Sequence, residues 1–222
     1  MKNNAKVVRW SLAGAAAAAT TAAFWWQDTA PFPYSQRWLL DLPLPFLTRT
    51  RLDAVLRPAD GERVLEVGPG TGLQSLHVAP QLGERGQLDV VDVQQPMLDH
   101  VQRRADENGV GNIAPVLADG HDLPHADGTF DAVYLVTALG EIPDVPRTLR
   151  ELRRVLKPEG RLVVGEFLDR HQVRLSTLAG EAEAAGMVLR RHIGPPFAYY
   201  AELRRVDEPR ASREPEVVAA QA

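Results

Sequence analysis

The stretch Val64-Leu65-Glu66-Val67-Gly68-Pro69-Gly70-Thr71-Gly72 constrains this chain more than any other. Residues of strand character run into three glycines at alternate positions, and a helical pattern follows. Glycine tolerates positive φ and lets the backbone approach a bound group with no Cβ in the way. A helix that starts there presents free N–H groups and the positive end of its dipole, which suits a nucleotide-like ligand. The spacing narrows the choice. A dinucleotide fingerprint is G-x-G-x-x-G. Counted from Gly68, its third glycine falls on Leu73, whereas the glycine here is Gly72. The pattern is therefore G-x-G-x-G, with Glu66 two residues ahead of it.

This segment resembles the first motif of the class I S-adenosylmethionine-dependent methyltransferases, E/D-x-G-x-G-x-G, matched at Glu66, Gly68, Gly70 and Gly72. Four downstream segments extend the resemblance. Residues 87–93 read as a second strand whose C-terminal acid, Asp92, follows Gly72 by 20 residues. A carboxylate at the end of a parallel strand beside the glycine loop can accept from both ribose hydroxyls. Gln94-Gln95-Pro96-Met97-Leu98 is similar to the family's S-P-x-M-L, with Gln94 in the serine's place. A third strand leads into Ala118-Asp119-Gly120-His121, where the family's acid accepts from the adenine amino group and a neighbouring amide meets a ring nitrogen. Residues 127–136 resemble D-G-S-F-D-x-V, with Asp131 read as structural, and Lys157-Pro158-Glu159-Gly160 resembles the L-K-P-G-G turn with Glu159 replacing one glycine.

The resemblance implies S-adenosylmethionine as cofactor. It marks Glu66, Gly68, Gly70, Gly72, Asp92, Val93, Met97, Asp119, Gly120, His121 and Thr137 as its binding residues. It also implies a Rossmann-like, doubly wound α/β sheet of seven strands in the order 3-2-1-4-5-7-6, with strand 7 antiparallel. The apolar patterning agrees, because five strands alternate with helices and a strand pair separated by Gly194-Pro195-Pro196 closes the chain. Asp89, three residues ahead of Asp92, reads as a surface or edge acid. The arginines of residues 145–156 read as the solvated face of an amphipathic helix.

Composition removes several function classes. There are no cysteines, which excludes disulfides, a thiolate nucleophile and cysteine-ligated zinc. The six histidines have no ligand spacing, so no metal is expected. A net charge of -4 does not fit a nucleic-acid footprint.

The termini stand apart from the domain. Residues 1–27 carry Lys2, Lys6 and Arg9 and then an uncharged, alanine-rich run, 10–26, bounded by Trp10 and by Phe24-Trp25-Trp26. A basic flank and aromatic rims are marks of a membrane segment with a cytoplasmic N-terminus, although the run is at the short limit for a span. A signal peptide, a membrane-attaching or interfacial helix, and a soluble helix covering the active-site mouth all stay open. Residues 28–47, rich in proline and aromatics, read as an ordered lead-in that packs on the core or lines the substrate side. Residues 48–206 form the methyltransferase domain, and 207–222 a disordered tail.

The expected reaction is in-line displacement, in which an acceptor attacks the methyl carbon of a sulfonium and a thioether leaves. Alignment and desolvation supply much of such a rate, so no catalytic triad is required, and the sequence shows none. A hydroxyl nucleophile benefits from a base. Glu141, which follows the fourth strand, is the first candidate and His121 the second, with Tyr199 or Tyr200 orienting substrate. Related small-molecule enzymes often have histidines where Gly140 and Glu141 stand. The apolar N-terminus points to a small, hydrophobic or lipid-like acceptor and to a cytoplasmic enzyme attached to the inner face of the membrane. Two other readings have distinct signatures. A binding or regulatory module of the same fold binds cofactor without turnover, and a nicotinamide-dependent oxidoreductase binds NADH instead.

Overall fold

Strands apolar on both sides require cover on both faces. In the computed structural model, which describes residues 31–42 and 46–206, β1 (Arg63–Val67) is buried at every position after Arg63. The same pressure produces β2 (Gln87–Asp92), β3 (Ile113–Leu117), β4 (Phe130–Val136) and β5 (Leu156–Phe167). β6 (Met187–Ile193) and β7 (Ala198–Arg205) close the sheet, whose order is β3-β2-β1-β4-β5-β7-β6. β1 pairs in parallel with β2 and β4, β2 with β3, and β4 with β5, while β7 is antiparallel to both its neighbours. The expected topology is the observed one. Because β1 to β5 run the same way, their carboxyl ends share one edge of the sheet, called here the carboxyl edge.

Helices fill both faces. α1 (Arg49–Leu56), α2 (Ser75–Val78) and α3 (Gln95–Glu107) cover one, where Leu52, Val55, Leu98 and Val101 pack on Val64, Val90, Tyr134 and Tyr200. α4 (Val145–Val155) and α5 (Leu175–Ala184) cover the other, where Leu149, Leu152, Leu178 and Ala182 pack on Leu65, Val133, Leu162 and Tyr199. Thr48 caps α1 by accepting from the Arg51 N–H, and Arg57 ends it in the left-handed region. Among the described residues no helix is long and apolar enough to cross a membrane. The apolar run 10–26 and the tail from 207 lie outside the described residues.

Several local expectations are corrected. The helical pattern that follows the glycines divides into α2 and a 3-10 turn, Ala79–Leu82, with Pro80 in its first turn. Proline has no N–H for the regular ladder and crowds the preceding turn. Residues 157–160, read as a turn, lie inside β5. β4 advances from Phe130 to Ala132 while β5 advances from Leu156 to Arg161, so the turn residues form an irregularity in a continuous strand. The lead-in forms a 3-10 helix over Tyr34–Asp41. Asp89 is not a surface acid. It is buried, with Arg63 at 2.7 Å, Gln87 at 2.5 Å and His125 at 3.1 Å. Tyr199 and Tyr200 are fully buried core residues, and the Tyr199 hydroxyl donates to the Val173 carbonyl, which removes both from contact with substrate.

Candidate active site

Four loops meet at the carboxyl edge. The first is the glycine loop after β1, in which Gly68, Gly70 and Gly72 have φ of 71°, 53° and 80°. Its first glycine is required twice over, by its positive φ and because a Cβ on Gly68 would stand 2.6 Å from the Ala138 Cβ. The Gly68 N–H donates to the Val91 carbonyl. Beneath the loop Glu66 is buried and accepts from the Ser75 hydroxyl. Burial pushes the Glu66 carboxyl up to about 7 against the pull of the Ser75 hydroxyl. Glu66 thus supports the loop from below.

Asp92 ends β2 and accepts from the Gln94 N–H at 2.8 Å, a local turn that fixes its carboxyl at the edge. Burial raises its pKa above the ordinary carboxylate range. Val93 beside it is exposed, whereas Met97, in the first turn of α3, is buried. Asp119 follows β3, and its Oδ1 lies 2.7 Å from His121 Nδ1 and accepts from the His121 N–H. Gly120 between them is packed so closely that a Cβ would stand 2.8 Å from Ile142 Cδ1. The Asp119 turn therefore abuts the loop that follows β4.

That fourth loop begins at Thr137, a non-glycine residue at φ 54°, held by its N–H to the Gly165 carbonyl at 2.7 Å. A 3-10 turn, Leu139–Glu141, then presents Glu141. Burial raises the Glu141 carboxyl to about 7, with Asp169 and Asp92 adding to the rise and Arg170 opposing it. A carboxyl that titrates near neutrality at the ligand edge of an α/β sheet is equipped to take a proton. Apart from Tyr199 and Tyr200, the sequence-predicted site residues lie on these loops, on β1 ahead of them or in the first turn of α3.

The lead-in crosses the same edge. Its Phe32 N–H donates to Glu141 Oε2 at 3.0 Å, and its Phe32 carbonyl accepts from Gln94 Nε2 at 2.9 Å. At the other end Asp41 accepts from the Thr71 hydroxyl at 2.7 Å and from Arg104 at 3.1 Å. Between them the Leu40 side chain stands over Gly70, where a Cβ would lie 3.1 Å away. The 3-10 helix is thus fastened across the mouth of the glycine loop.

Sequence reading missed Glu166 at the end of β5. It is buried, one oxygen accepts from the Val173 N–H at 3.2 Å, and the other has no hydrogen-bond partner. Burial holds its pKa well above the ordinary range. The signal that found Asp92, an acid at the carboxyl end of an apolar strand, was also present in Leu162-Val163-Val164-Gly165-Glu166.

With this geometry described, comparison with known proteins is informative. The ubiE/COQ5 methyltransferase family matches residues 46–182. A relative from Cellvibrio japonicus (strain Ueda107), "Ubiquinone/menaquinone biosynthesis C-methyltransferase UbiE", is 38% identical over 117 residues, which are 52% of this chain and 47% of that protein. The chain spans about half the length of the curated relatives it matches. Among solved structures, a SAM-dependent methyltransferase from Aquifex aeolicus superposes with a TM-score of 0.67 at 22% identity, covering 78% of this chain and 97% of that one. The [4+2]-cyclase SpnF superposes with a TM-score of 0.58 at 27% identity, covering 64% of this chain and 56% of SpnF.

Proposed function

Since this chain belongs to the ubiE/COQ5 methyltransferase family, we propose that it moves a methyl group from S-adenosylmethionine to a ring carbon of a hydroquinone that carries an apolar tail. The observation that carries the reading is Glu141, a carboxyl held near neutral pKa in the turn that closes on the glycine loop. The names of the relatives, ubiquinone/menaquinone biosynthesis C-methyltransferases, supply the acceptor class. The apolar N-terminal run is in keeping with an acceptor that resides in a membrane. Attachment to the inner face of a cytoplasmic membrane through residues 10–26 belongs to the same proposal.

The residues present fit the cofactor. The positive φ of Gly68, Gly70 and Gly72 leaves the loop free of Cβ atoms where a ligand approaches. In this proposal Asp92 accepts from ribose hydroxyls and Asp119 from an adenine amino group, with Val93 and Met97 after β2, Gly120 beside Asp119 and Thr137 after β4 lining the cofactor, while Glu66 holds the loop; their positions at the carboxyl ends of the strands support it. S-adenosylmethionine, when bound, supplies an electrophilic methyl whose thioether leaving group needs no protonation. Glu141, once ionised, accepts the proton that the acceptor loses from its hydroxyl or from the methylated ring carbon. His121, with its Nδ1 tied to Asp119, orients that acid and takes no proton in this scheme. The lead-in excludes water from the Glu141 side of the site through its Phe32 contact.

The test is calorimetric titration of S-adenosylmethionine into the full chain beside Asp92→Ala, followed by turnover on a short-chain hydroquinone read as a mass gain of one methyl. Binding that the variant loses, together with the methylated product, supports the proposal. Binding without product from hydroquinones or phenols points to the second reading, a cofactor pocket kept for another purpose. The likeness to the [4+2]-cyclase SpnF favours that second reading.

A further inference from the structure

Nine large apolar side chains are exposed among the described residues, and their distribution is uneven. Leu168 follows β5 and is 66% exposed, and Phe197 immediately precedes Ala198, which pairs with the last residue of β5. Phe46 stacks edge-on against Phe197 with ring centroids 5.5 Å apart. Trp38, Leu39 and Leu42 belong to the lead-in fastened across the glycine loop, and Trp38 is 64% exposed. Val93 and Leu117 stand at the carboxyl ends of β2 and β3. Only Val206, past the end of β7, belongs to the opposite edge. Scattered apolar residues need no explanation, but a group gathered at one edge does.

The charge at this edge is sorted as well. Arg37 stacks on the Tyr34 ring at 4.4 Å and Arg51 on the Phe46 ring at 5.5 Å, which places guanidinium groups among the exposed aromatics. Of the acids here, Asp41 is paired with Arg104 and Glu141 accepts from the Phe32 N–H, while Asp169 beside Leu168 is exposed. Exposed Trp, Phe and Leu with arginines between them match the boundary between lipid headgroups and acyl chains. Anionic headgroups add attraction for each arginine held at the surface. The chain enters this edge from residues 1–30, whose sequence carries Lys2, Lys6, Arg9 and the Trp-bounded uncharged run.

We propose that the carboxyl edge is a membrane-docking face, which rests on a bilayer bearing anionic headgroups with Trp38, Leu42, Phe46, Leu168 and Phe197 dipped into it. This rests on the reading of a tailed acceptor given above and extends it. The mouth of the site opens toward the lipid, so the acceptor's ring reaches Glu141 while its tail stays in the bilayer. The described domain then contributes to membrane binding itself, in addition to anything residues 1–30 contribute.

Flotation of the full chain with phosphatidylcholine vesicles, with and without phosphatidylglycerol, tests this. Trp38→Ser combined with Phe46→Ser and Phe197→Ser should lower partition on the order of tenfold or more, because binding scales with apolar area inserted. A second variant, Leu168→Ser with Phe197→Ser, leaves the lead-in untouched. Replacing Arg37 and Arg51 by Gln should lower only the phosphatidylglycerol-dependent part, by about fivefold for each arginine. S-adenosylmethionine binding, measured on every variant, reports that the fold is kept. Parental partition in both apolar variants would overturn the proposal and assign the binding to residues 1–30. Self-association without lipid that the triple variant abolishes would overturn it in favour of a second copy. Docking with no methyl product would sink the acceptor reading alone. Loss of turnover on a vesicle-borne hydroquinone, with turnover on a water-soluble one retained, would support both.

Discussion

At the amino edge of the sheet, Asp131 accepts from the Arg63 N–H at 3.0 Å and from Lys157 at 2.7 Å, and Glu62 receives both terminal nitrogens of Arg161. At the carboxyl edge, Glu141 accepts from the Phe32 N–H and Glu166 from the Val173 N–H. The pKa directions follow. Burial would raise Asp131, but Lys157 and the Arg63 N–H outweigh it and hold it low, whereas burial prevails at Asp92, Glu141 and Glu166. At the amino edge bonded cations outweigh burial and anchor the acid. At Asp92, Glu141 and Glu166 burial outweighs the nearby donors and charges, which leaves these carboxyls able to exchange protons or to receive a ligand's donors. The same sheet therefore separates anchoring from chemistry by which of the two effects prevails.

The sharpest way to break this contrast is Glu141→Gln. Loss of a general base should lower turnover by about 10²- to 10⁴-fold with S-adenosylmethionine binding kept, as stopped assays beside calorimetry will show. In the parent chain the rate should climb as pH rises and level off above about 7, because the base acts only when ionised. A flat profile from pH 5 to 9 would remove Glu141 from the reaction.

The anchoring side is tested at Glu202 on β7, which receives Arg57, Arg191 and Arg204 at 2.7 to 2.9 Å. Burial works to raise its pKa, yet the three guanidinium groups depress it to about 2. A depressed folded-state pKa contributes stability that is present above the unfolded value and lost as pH falls toward 2. Glu202→Gln should cost about 1–3 kcal/mol at pH 7, reduced from a fully buried pair because the arginines are partly exposed. The difference from the parent should shrink between about pH 5 and 2 in denaturant titrations.

Glu66 gives the opposite sign. Its folded-state pKa is raised to about 7, so the folded state holds a proton that the unfolded chain releases near pH 4.5. Stability is therefore lost as pH rises between those values, and the cost is complete above 7. Glu66→Gln should raise stability by about 1–2 kcal/mol at pH 8 and change little at pH 5, since the Ser75 hydroxyl can reorient to an amide. A variant less stable at pH 8 would mean that the carboxylate is satisfied there.

What was legible in the sequence was what depends on chain neighbours. The Glu66 to Gly72 motif, Asp92 and Asp119 each sit at a strand end, where spacing alone fixes their place at the carboxyl edge. The β-strand order came from the family pattern, and the paired registers carry it. What depends on distant segments was not legible. Asp89 looked like a surface acid because nothing nearby in sequence shows that His125 and Arg63 close over it. The continuity of β5 through Lys157-Pro158-Glu159-Gly160 was hidden by turn-forming residues that pairing with β4 and β7 overrides. The seal between Phe32 and Glu141 joins residues 109 positions apart, and no local pattern announces it.

The smallest expected effect separates the two buried acids of the carboxyl edge. Glu141 is raised by burial and then by the charges of Asp169 and Asp92. Glu166 is held well above the ordinary range, first by burial and then by the charges of Asp169 and Glu141. A carboxyl that keeps its proton exerts no charge on its neighbour. Glu166→Gln, which preserves shape and the Val173 N–H bond, should therefore leave the midpoint of the pH–rate profile where it was. Asp169→Asn removes a negative charge that disfavours ionisation of Glu141, so its midpoint should move down toward the ordinary carboxylate range. The two variants, measured side by side on one hydroquinone, make the comparison internal. A midpoint lowered by Glu166→Gln and unmoved by Asp169→Asn would mean that Glu166 is ionised at neutral pH, and the carboxyl edge would then contain two buried anions in place of one acid and one base.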